Sequence, residues 1–196
     1  MGFRAINDFA RHTAWLHGIA KLYANDGVVL FGLLLVVGVL LNRGVGLRAL
    51  TRSLLAGTGV LIAVAANQPL VHAVAEKRPY VRWPDVLVLV HRSTDPSFPS
   101  DHAVMAGATA VGLLLSRRRL GWVAVPLALL MAADRVYVGA HYPGDVLAGL
   151  AFGGLVAAAV QLLAPLVTRV LGALSRGPMR PLLLPPSARP LVRLKP

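Results

Sequence analysis

Five apolar runs decide what this chain can fold into. They lie at residues 28–41, 54–66, 103–115, 120–133 and 146–167. Only the last reaches the roughly 20 residues that a helix needs to cross a bilayer, but each of the others extends at one end through semi-polar residues. A soluble helical bundle would need polar stripes along its helices, and these runs have almost none. The pattern predicts an all-α membrane protein with a bundle of about five transmembrane helices.

The first 24 residues have a different pattern. Apolar side chains recur there at roughly helical spacing, at Ile6, Phe9, Leu16 and Ile19. Charged and titratable residues interrupt the run, and Trp15 suits a membrane–water interface. We expect residues 1–24 to form an amphipathic helix on the membrane surface. A sixth spanning helix is disfavoured because its charges would enter the hydrocarbon core.

The remaining chain divides into a bundle and a tail. We expect one membrane-embedded domain over residues 1–172, in which 27–172 form the transmembrane bundle. Residues 173–196 are basic and rich in proline, which is typical of a disordered tail. The chain has no cysteine, so disulfides and thiolate metal sites are excluded.

The charges separate onto two faces of the predicted bundle. Residues 42–53, 116–119 and 168–196 together carry 12 Lys and Arg and no acid. The segments on the other face carry the remaining eight basic residues and all eight acids. Positive segments stay in the cytoplasm, so the neutral face should point outward and the tail inward. No basic stripe remains on a soluble surface, which argues against nucleic acid as a partner.

Polar, reactive side chains gather on the outward face. Residues 76–80, 98–102 and 134–145 should meet at that mouth of the bundle. They supply Lys77, Arg78, Ser100, Asp101, His102, Asp134, Arg135, His141 and Asp145. Ionisable groups at the end of a membrane bundle are functional candidates. Arg–Asp pairs that only hold helices together are the alternative, and three such clusters on one face argue against it.

These residue types fit phosphate chemistry. Ser100 is placed as a helix N-cap and Pro143 as the first residue of the last helix. Helix N-termini and arginine side chains both favour phosphate. Asp145, four residues after His141, could hold the imidazole tautomer that leaves the other ring nitrogen free to attack. His102 is then available to protonate a leaving oxygen.

A zinc site is the second interpretation of two histidines among carboxylates. Neighbouring arginines would repel a cation, and no metal-ligand spacing such as H-E-x-x-H occurs. We therefore expect no metal and no cofactor.

These residues resemble a known family, the type 2 phosphatidic acid phosphatase/haloperoxidase superfamily. The resemblance extends over roughly residues 50–165. The motifs of the family are K-x6-R-P, P-S-G-H and S-R-x5-H-x3-D. The matching positions are Arg78 and Pro79, then Pro99, Ser100 and His102, then Arg135, His141 and Asp145. The resemblance implies a metal-independent phosphatase that passes through a phosphohistidine. His141 would be the nucleophile, Asp145 its orienting partner and His102 the general acid. Phosphate would be bound by Arg78, Arg135 and Ser100.

Three positions depart from the family motifs. Val71 stands where the first motif has its lysine, and Lys77 is the nearby candidate to replace that lysine. Asp101 replaces the glycine of the second motif, and Asp134 replaces the serine of the third. Both aspartates are kept as further site candidates.

The small size, the N-terminal surface helix and the stretch PSDHA are similar to the bacterial undecaprenyl diphosphate phosphatases of this superfamily. That subgroup recycles the lipid carrier of the cell wall on the outer face of the plasma membrane, with membrane lipids and a lipid phosphate or diphosphate as partners. Arg82 lies between the first two motifs, where it could reach a second phosphate. Phosphatidic acid, phosphatidylglycerol phosphate or another prenyl phosphate are alternative substrates. A catalytically inactive lipid-binding or transport protein is the alternative outside enzymes.

Overall fold

A computed structural model describes residues 2–175, and every regular element within them is helical. The elements in chain order are α1 (Gly2–His12), a 3₁₀ turn (Ala14–Leu16), α2 (His17–Arg43), α3 (Leu47–Val74), α4 (Pro79–Arg82), α5 (Asp101–Ser116), α6 (Arg118–Tyr137), α7 (Pro143–Gln161) and α8 (Ala164–Leu174). The disordered tail is predicted for residues 173–196. Residues 173 and 174 instead end α8, and from residue 176 onward the tail lies outside the described part.

The all-helical membrane fold is confirmed, with one difference in the number of spans. Four helical segments are long and apolar enough to cross a membrane, Ala14–Arg43, Leu47–Arg82, Arg118–Tyr137 and Pro143–Gln161. The third predicted run, residues 103–115, forms α5, which has only 16 residues. Its length is about 24 Å at 1.5 Å per residue, less than the ~30 Å of a hydrocarbon core. α5 instead occupies the centre of the bundle, where it packs against α3, α6 and α7.

The N-terminal helix is shorter than the expected 1–24. α1 ends at His12, and residues 17–24 form the first turns of α2. The break lies at Thr13, whose hydroxyl bonds the Phe9 carbonyl at 2.8 Å and the Tyr137 hydroxyl at 2.8 Å. The chain is thereby tied to the end of α6 before α2 begins.

The last predicted run is also divided. α7 ends at Gln161 and α8 begins at Ala164, so residues 162 and 163 form a bend. Pro165 explains the division, because it has no N–H to donate to the Gln161 carbonyl one helical turn earlier. The apolar pattern alone does not register this missing donor, since proline and leucine are both apolar.

Glycines allow α5 and α7 to approach closely at the end where both helices begin. A Cβ on Gly149 would lie 2.8 Å from the Ser100 carbonyl oxygen and 2.9 Å from the Ala103 Cβ. The Ser100 N–H also donates to the Asp145 carbonyl at 3.2 Å. Small residues permit such contact between membrane helices. The starts of α5 and α7, which carry the second and third motifs, are therefore held side by side.

We predict that Gly149→Ala lowers thermal stability in detergent, because the new methyl group must push α5 and α7 apart. Overpacking of this kind typically costs about 1–3 kcal/mol. Gly57→Ala is the matched control, since Gly57 is also helical and a Cβ there meets no atom within 4 Å. Equal melting temperatures for the two variants would contradict the close contact described here.

Candidate active site

The three predicted clusters meet at one end of the bundle. The Ser97 N–H donates to the Glu76 carbonyl at 2.8 Å, which joins the segment after α3 to the segment before α5. The Arg78 Nε–H donates to the Asp95 carbonyl at 2.8 Å and reinforces that link. With the contact between Ser100 and Asp145, these bonds bring all three segments together.

The turn between α6 and α7 returns His141 to the end of α6. The Ala140 and His141 N–H groups both point to the Arg135 carbonyl, at 3.1 and 3.2 Å. Gly139 adopts a φ of +80°, a conformation that glycine accepts without strain. A side chain there would also collide with the Leu87 carbonyl. The spacing R-x5-H therefore corresponds to one tight turn that places histidine and arginine together.

His141 is held in one tautomer inside the protein. Its side chain is only 3% exposed. Nδ1 lies 2.9 Å from the Ser97 carbonyl oxygen and 3.4 Å from Asp145 Oδ2. A carbonyl oxygen can only accept, so Nδ1 carries the proton and Nε2 keeps its lone pair. That Nε2 lies 3.3 Å from Arg78 Nη1.

Asp145 is itself fixed by two donors. The Tyr142 N–H donates to its Oδ2 at 2.9 Å, and the Ser97 hydroxyl donates to the same oxygen. The side chain is 1% exposed. It therefore places a negative charge beside the His141 ring, while the Ser97 carbonyl makes the shorter contact with Nδ1.

Ser97 is the site residue that the sequence motifs did not indicate. Its carbonyl contacts His141 and its hydroxyl contacts Asp145, although it lies 44 residues before His141. The only signal in the sequence is its position in the stretch SFPS, three residues before the N-cap of α5. A contact through a backbone carbonyl leaves no residue-type signature, so spacing could not reveal it.

Buried donors without protein partners lie in the same region. Ser100 occupies the predicted N-cap position of α5, but its hydroxyl makes no capping bond and is buried without a partner in the described residues. The Nε of Arg135 is also buried and unpaired there, while its Nη1 donates to the Ala24 carbonyl at 3.2 Å. Unsatisfied buried donors are costly, and an oxyanion such as phosphate would satisfy them.

Burial and the surrounding cations keep the His141 ring neutral. Burial lowers the pKa of His141 to about 4, and Arg135 and Arg78 act in the same direction. The hydrogen bond and charge of Asp145 oppose this shift but do not cancel it. At neutral pH the imidazole is therefore unprotonated at Nε2, which a nucleophile requires.

His102 is the second residue of α5, outside the four spanning segments. The pKa of His102 is lowered to about 3, chiefly by burial and then by the charges of Arg135, His141 and Arg78. The charges of all three residues act on His102, which therefore lies in the same cluster as Arg78, Arg135 and His141. Since cations favour the neutral ring, an anion bound among them would favour its protonated form.

Two of the predicted residues, Lys77 and Asp101, have different surroundings. Lys77 is exposed and makes no hydrogen bond or ion pair with any residue in 2–175, while Val71 is buried in α3. The exposed position of Lys77 gives no support for the idea that it replaces the motif lysine. The Asp101 carboxylate accepts hydrogen bonds from Asn67 at 2.7 Å and Gln68 at 3.1 Å. Asp101 therefore attaches the start of α5 to α3.

Asp134 and Arg82 flank the site on two sides. Asp134 is 7% exposed, and its Oδ2 has no hydrogen-bond partner among the described residues. Arg82 is exposed, with its guanidinium 5.4 Å from the centre of the Trp83 ring. Within residues 2–175, no three His, Asp or Glu side chains are grouped closely enough to hold a metal ion.

α1 covers one side of this mouth. Phe3 packs on Trp83 and Tyr142, with ring centres 5.7 and 5.6 Å apart. The Asn7 amide exchanges two hydrogen bonds with the backbone of Leu87, at 2.8 and 3.0 Å. The amino-terminal helix is therefore joined to the loop after α4 and contacts the residue next to His141.

We predict that Arg78→Gln raises the pKa of His141, because a positive charge 3.3 Å from Nε2 is removed. Asp145→Asn should lower the same pKa, because it removes the negative charge that opposes the shift. The measurement is NMR titration of isotope-labelled histidine in detergent micelles, with single-histidine variants for assignment. Shifts of the same sign in both variants would contradict this arrangement of charges.

Comparison with known proteins identifies a family and several relatives. Residues 52–169 match the PAP2 superfamily model. The chain is 31% identical over 148 residues to undecaprenyl-diphosphatase BcrC of Bacillus subtilis (strain 168), covering 76% of this chain and 75% of that protein. A lipid A 1-phosphatase of Rhizobium etli is 52% identical over 60 residues, which are 30% of this chain and 25% of that protein.

A solved structure supports the same relationship. The transmembrane PAP2-type phosphatidylglycerolphosphate phosphatase of Bacillus subtilis superposes with a TM-score of 0.55 at 25% identity, covering 82% of this chain and 83% of that one. The match to the family model includes Arg78, His102, Arg135, His141 and Asp145, the residues whose grouping is described above. The resemblance seen in the motifs is thus confirmed, and the chain belongs to the PAP2 superfamily of membrane phosphatases.

Proposed function

We propose that this protein hydrolyses a polyprenyl diphosphate, undecaprenyl diphosphate in bacteria, to the monophosphate through a phosphohistidine. The observation that carries the chemistry is the His141 ring, buried and neutral, with Nδ1–H on the Ser97 carbonyl and Nε2 3.3 Å from Arg78. The similarity to an undecaprenyl-diphosphatase over three quarters of both chains supports the choice of substrate.

The first step transfers the terminal phosphoryl group. Its oxygens would lie among Arg78, Arg135 and the Ser100 hydroxyl, which satisfies the donors that are unpaired in the empty site. The Nε2 lone pair of His141 attacks phosphorus, a P–N bond forms, and the bond to the bridging oxygen breaks. His102 donates its proton to that oxygen, and the polyprenyl monophosphate leaves.

The second step returns the enzyme to its starting state. His102, now neutral, accepts a proton from water while the water oxygen attacks phosphorus. The P–N bond breaks, its electron pair returns to Nε2 of His141, and inorganic phosphate leaves. Nδ1 keeps its proton throughout, and the nearby Asp145 carboxylate stabilises the positive charge of the phosphorylated ring.

No metal ion is required in this scheme. Two guanidinium groups and a helix N-terminus supply the positive potential that a metal would otherwise provide at the phosphoryl oxygens. Metal independence is therefore part of the proposal, and a chelator tests it directly.

We predict different losses for the two histidines. His141→Ala should abolish phosphate release from all substrates, because the nucleophile is gone. His102→Ala should slow a lipid diphosphate by ~10²–10⁴-fold but an aryl phosphate much less, since a good leaving group needs little protonation. Phosphate release by purified protein is measured with excess EDTA throughout. Reversible loss of wild-type activity in EDTA, restored by zinc, would overturn the histidine mechanism.

The diphosphate proposal rests on a second cation at the rim. Arg82 is exposed, lies over the Trp83 ring and interacts electrostatically with Glu76 and with Tyr142, the residue next to His141. From this position it would contact a phosphate beyond the one held by Arg78 and Arg135. Phosphatidic acid and phosphatidylglycerol phosphate are the alternatives, since the family includes phosphatases of glycerolipids and of lipid A.

We predict that a long-chain prenyl diphosphate has a higher kcat/KM than phosphatidic acid at matched detergent concentration. Arg82→Ala should reduce this preference by about 10- to 150-fold, because a charge-assisted contact contributes about 1.5–3 kcal/mol. Lys21→Ala, an exposed cation outside the site, is the control. Faster hydrolysis of phosphatidic acid, unaffected by Arg82→Ala, would make this a glycerolipid phosphatase. Phosphate release from neither lipid would favour an inactive lipid-binding protein.

We also propose that the protein lies in the bacterial plasma membrane with its site on the extracytoplasmic face. The support is the charge distribution in the sequence, since the segments predicted to lie on the opposite face, residues 42–53, 116–119 and 168–196, carry 12 basic residues and no acid. Thr94 lies in the loop beside the site, and Val45 lies in the connection between α2 and α3 at the other end.

We predict that a cysteine at Thr94 reacts with a membrane-impermeant thiol reagent in intact cells, whereas one at Val45 reacts only after lysis. Both side chains are exposed, and the natural chain has no cysteine to give background. Labelling of the Val45 variant alone in intact cells would place the site in the cytoplasm.

A further inference from the structure

A cavity lined by basic residues lies at the end of the bundle opposite His141. Here the start of α3 faces the bend between α7 and α8, and the cavity, of about 490 Å³, lies between them. Its lining includes Arg48, Arg52 and Arg169 and no acidic residue. We propose that this cavity binds the phosphate group of an anionic membrane glycerophospholipid, independently of the catalytic site.

Charge is the first argument. Three arginines line one cavity, and a bound anion would lower the repulsion between their charges. Arg52 is directed by a hydrogen bond from its Nη1 to the Leu115 carbonyl at 3.2 Å. Its backbone carbonyl accepts from the Gln161 amide at 2.8 Å, which fixes α3 against the end of α7. The cavity wall is thus built from connected groups.

The position of α3 adds positive potential. This 28-residue helix begins at Leu47, and its N-cap, Gly46, has no side chain to satisfy the first N–H groups. The first turn contains no acidic residue that would compensate the helix dipole. The same turn carries Arg48, so side-chain charge and helix dipole act on the same end of the cavity.

Apolar surface beside the cavity favours a lipid over a free anion. Leu162, in the bend, is 79% exposed, and Leu166 in α8 is 59% exposed. Leu162 also lines the cavity, so its apolar side chain and the three arginines are adjacent. A headgroup phosphate would lie among the arginines while its acyl chains cover the leucines. Basic pockets between membrane helices bind anionic headgroups in this way.

Occupation would connect elements that are distant in sequence. Arg48 and Arg52 belong to α3, whereas Arg169 belongs to α8. A phosphate that contacts all three would hold α8 against the bundle across the bend that Pro165 creates. The expected effect is thermal stabilisation of the whole protein, because the ligand binds the folded state alone.

The experiment measures thermal unfolding of the full chain in a non-ionic detergent, with added phosphatidylglycerol, phosphatidylcholine or inorganic phosphate at matched ionic strength. We expect phosphatidylglycerol to raise the wild-type Tm by about 2–4 °C and the other two additions to have little effect. Arg48→Gln with Arg169→Gln should remove this shift. The control, Arg118→Gln with Arg119→Gln, removes two exposed charges from the same face outside the cavity and should retain it.

Three results would overturn the proposal. Equal loss of the shift in both double variants would show a diffuse effect of surface charge. An equal shift with inorganic phosphate would show a site for free anions, and an equal shift with phosphatidylcholine would show no selection for charge. If Arg48→Gln with Arg169→Gln does not fold, Arg169→Gln alone carries the test, and an unchanged lipid shift in that variant counts against the cavity.

Discussion

The close approach of α5 and α7 is the constraint on which the rest of the site depends. It requires glycine at positions such as 149, where any larger residue meets the backbone of Ser100. The hydrogen bond from the Ser100 N–H to the Asp145 carbonyl then sets the two helix starts at one level. His102 and His141, each close to one of these starts, are consequently brought to the same end of the bundle. Helix packing therefore determines the geometry of the chemistry.

A second constraint is electrostatic. The site gathers Arg78, Arg135 and two histidines in a region where burial disfavours charge. Both rings remain neutral as a result. In the proposed mechanism this suits His141 as the nucleophile, whereas His102 could act as the general acid only after an anion has bound. Substrate charge thus completes the catalytic arrangement. Burial and the neighbouring cations are sufficient to keep His102 unprotonated when no anion is bound.

Much of the fold and of the candidate site could be predicted from residue types and spacing. The apolar runs indicated the helices of the bundle, and the spacing R-x5-H-x3-D placed Arg135, His141 and Asp145 together because one turn and one helical repeat separate them. The limits of α1 and α7 could not be predicted, since Thr13 and Pro165 act through backbone hydrogen bonds that hydropathy does not measure. The contact between Ser97 and His141 arises from tertiary folding over 44 residues.

The contacts of individual side chains at the rim of the site also could not be predicted from the sequence. Lys77 stands next to Arg78 in the chain, yet adjacent residues in an extended segment point in different directions, and Lys77 faces solvent. Asp101 has the charge expected of a reactive group, but Asn67 and Gln68 on α3 bind its carboxylate. Which partner a polar side chain finds depends on the neighbouring helix, whose rotation about its own axis is set by the whole bundle.

Because α1 packs on Trp83 and Tyr142, the shape of the entrance to the site can change separately from the residues inside it. The residues proposed to break the phosphate bond lie within 52–169, the part that matches the superfamily model. α1 lies outside that part, yet Phe3 contacts the residue immediately after His141. The amino-terminal helix is therefore a place where relatives can diverge in the shape of the entrance while the catalytic groups stay the same. Recognition of the lipid and cleavage of its phosphate can in this way evolve on different segments of one chain.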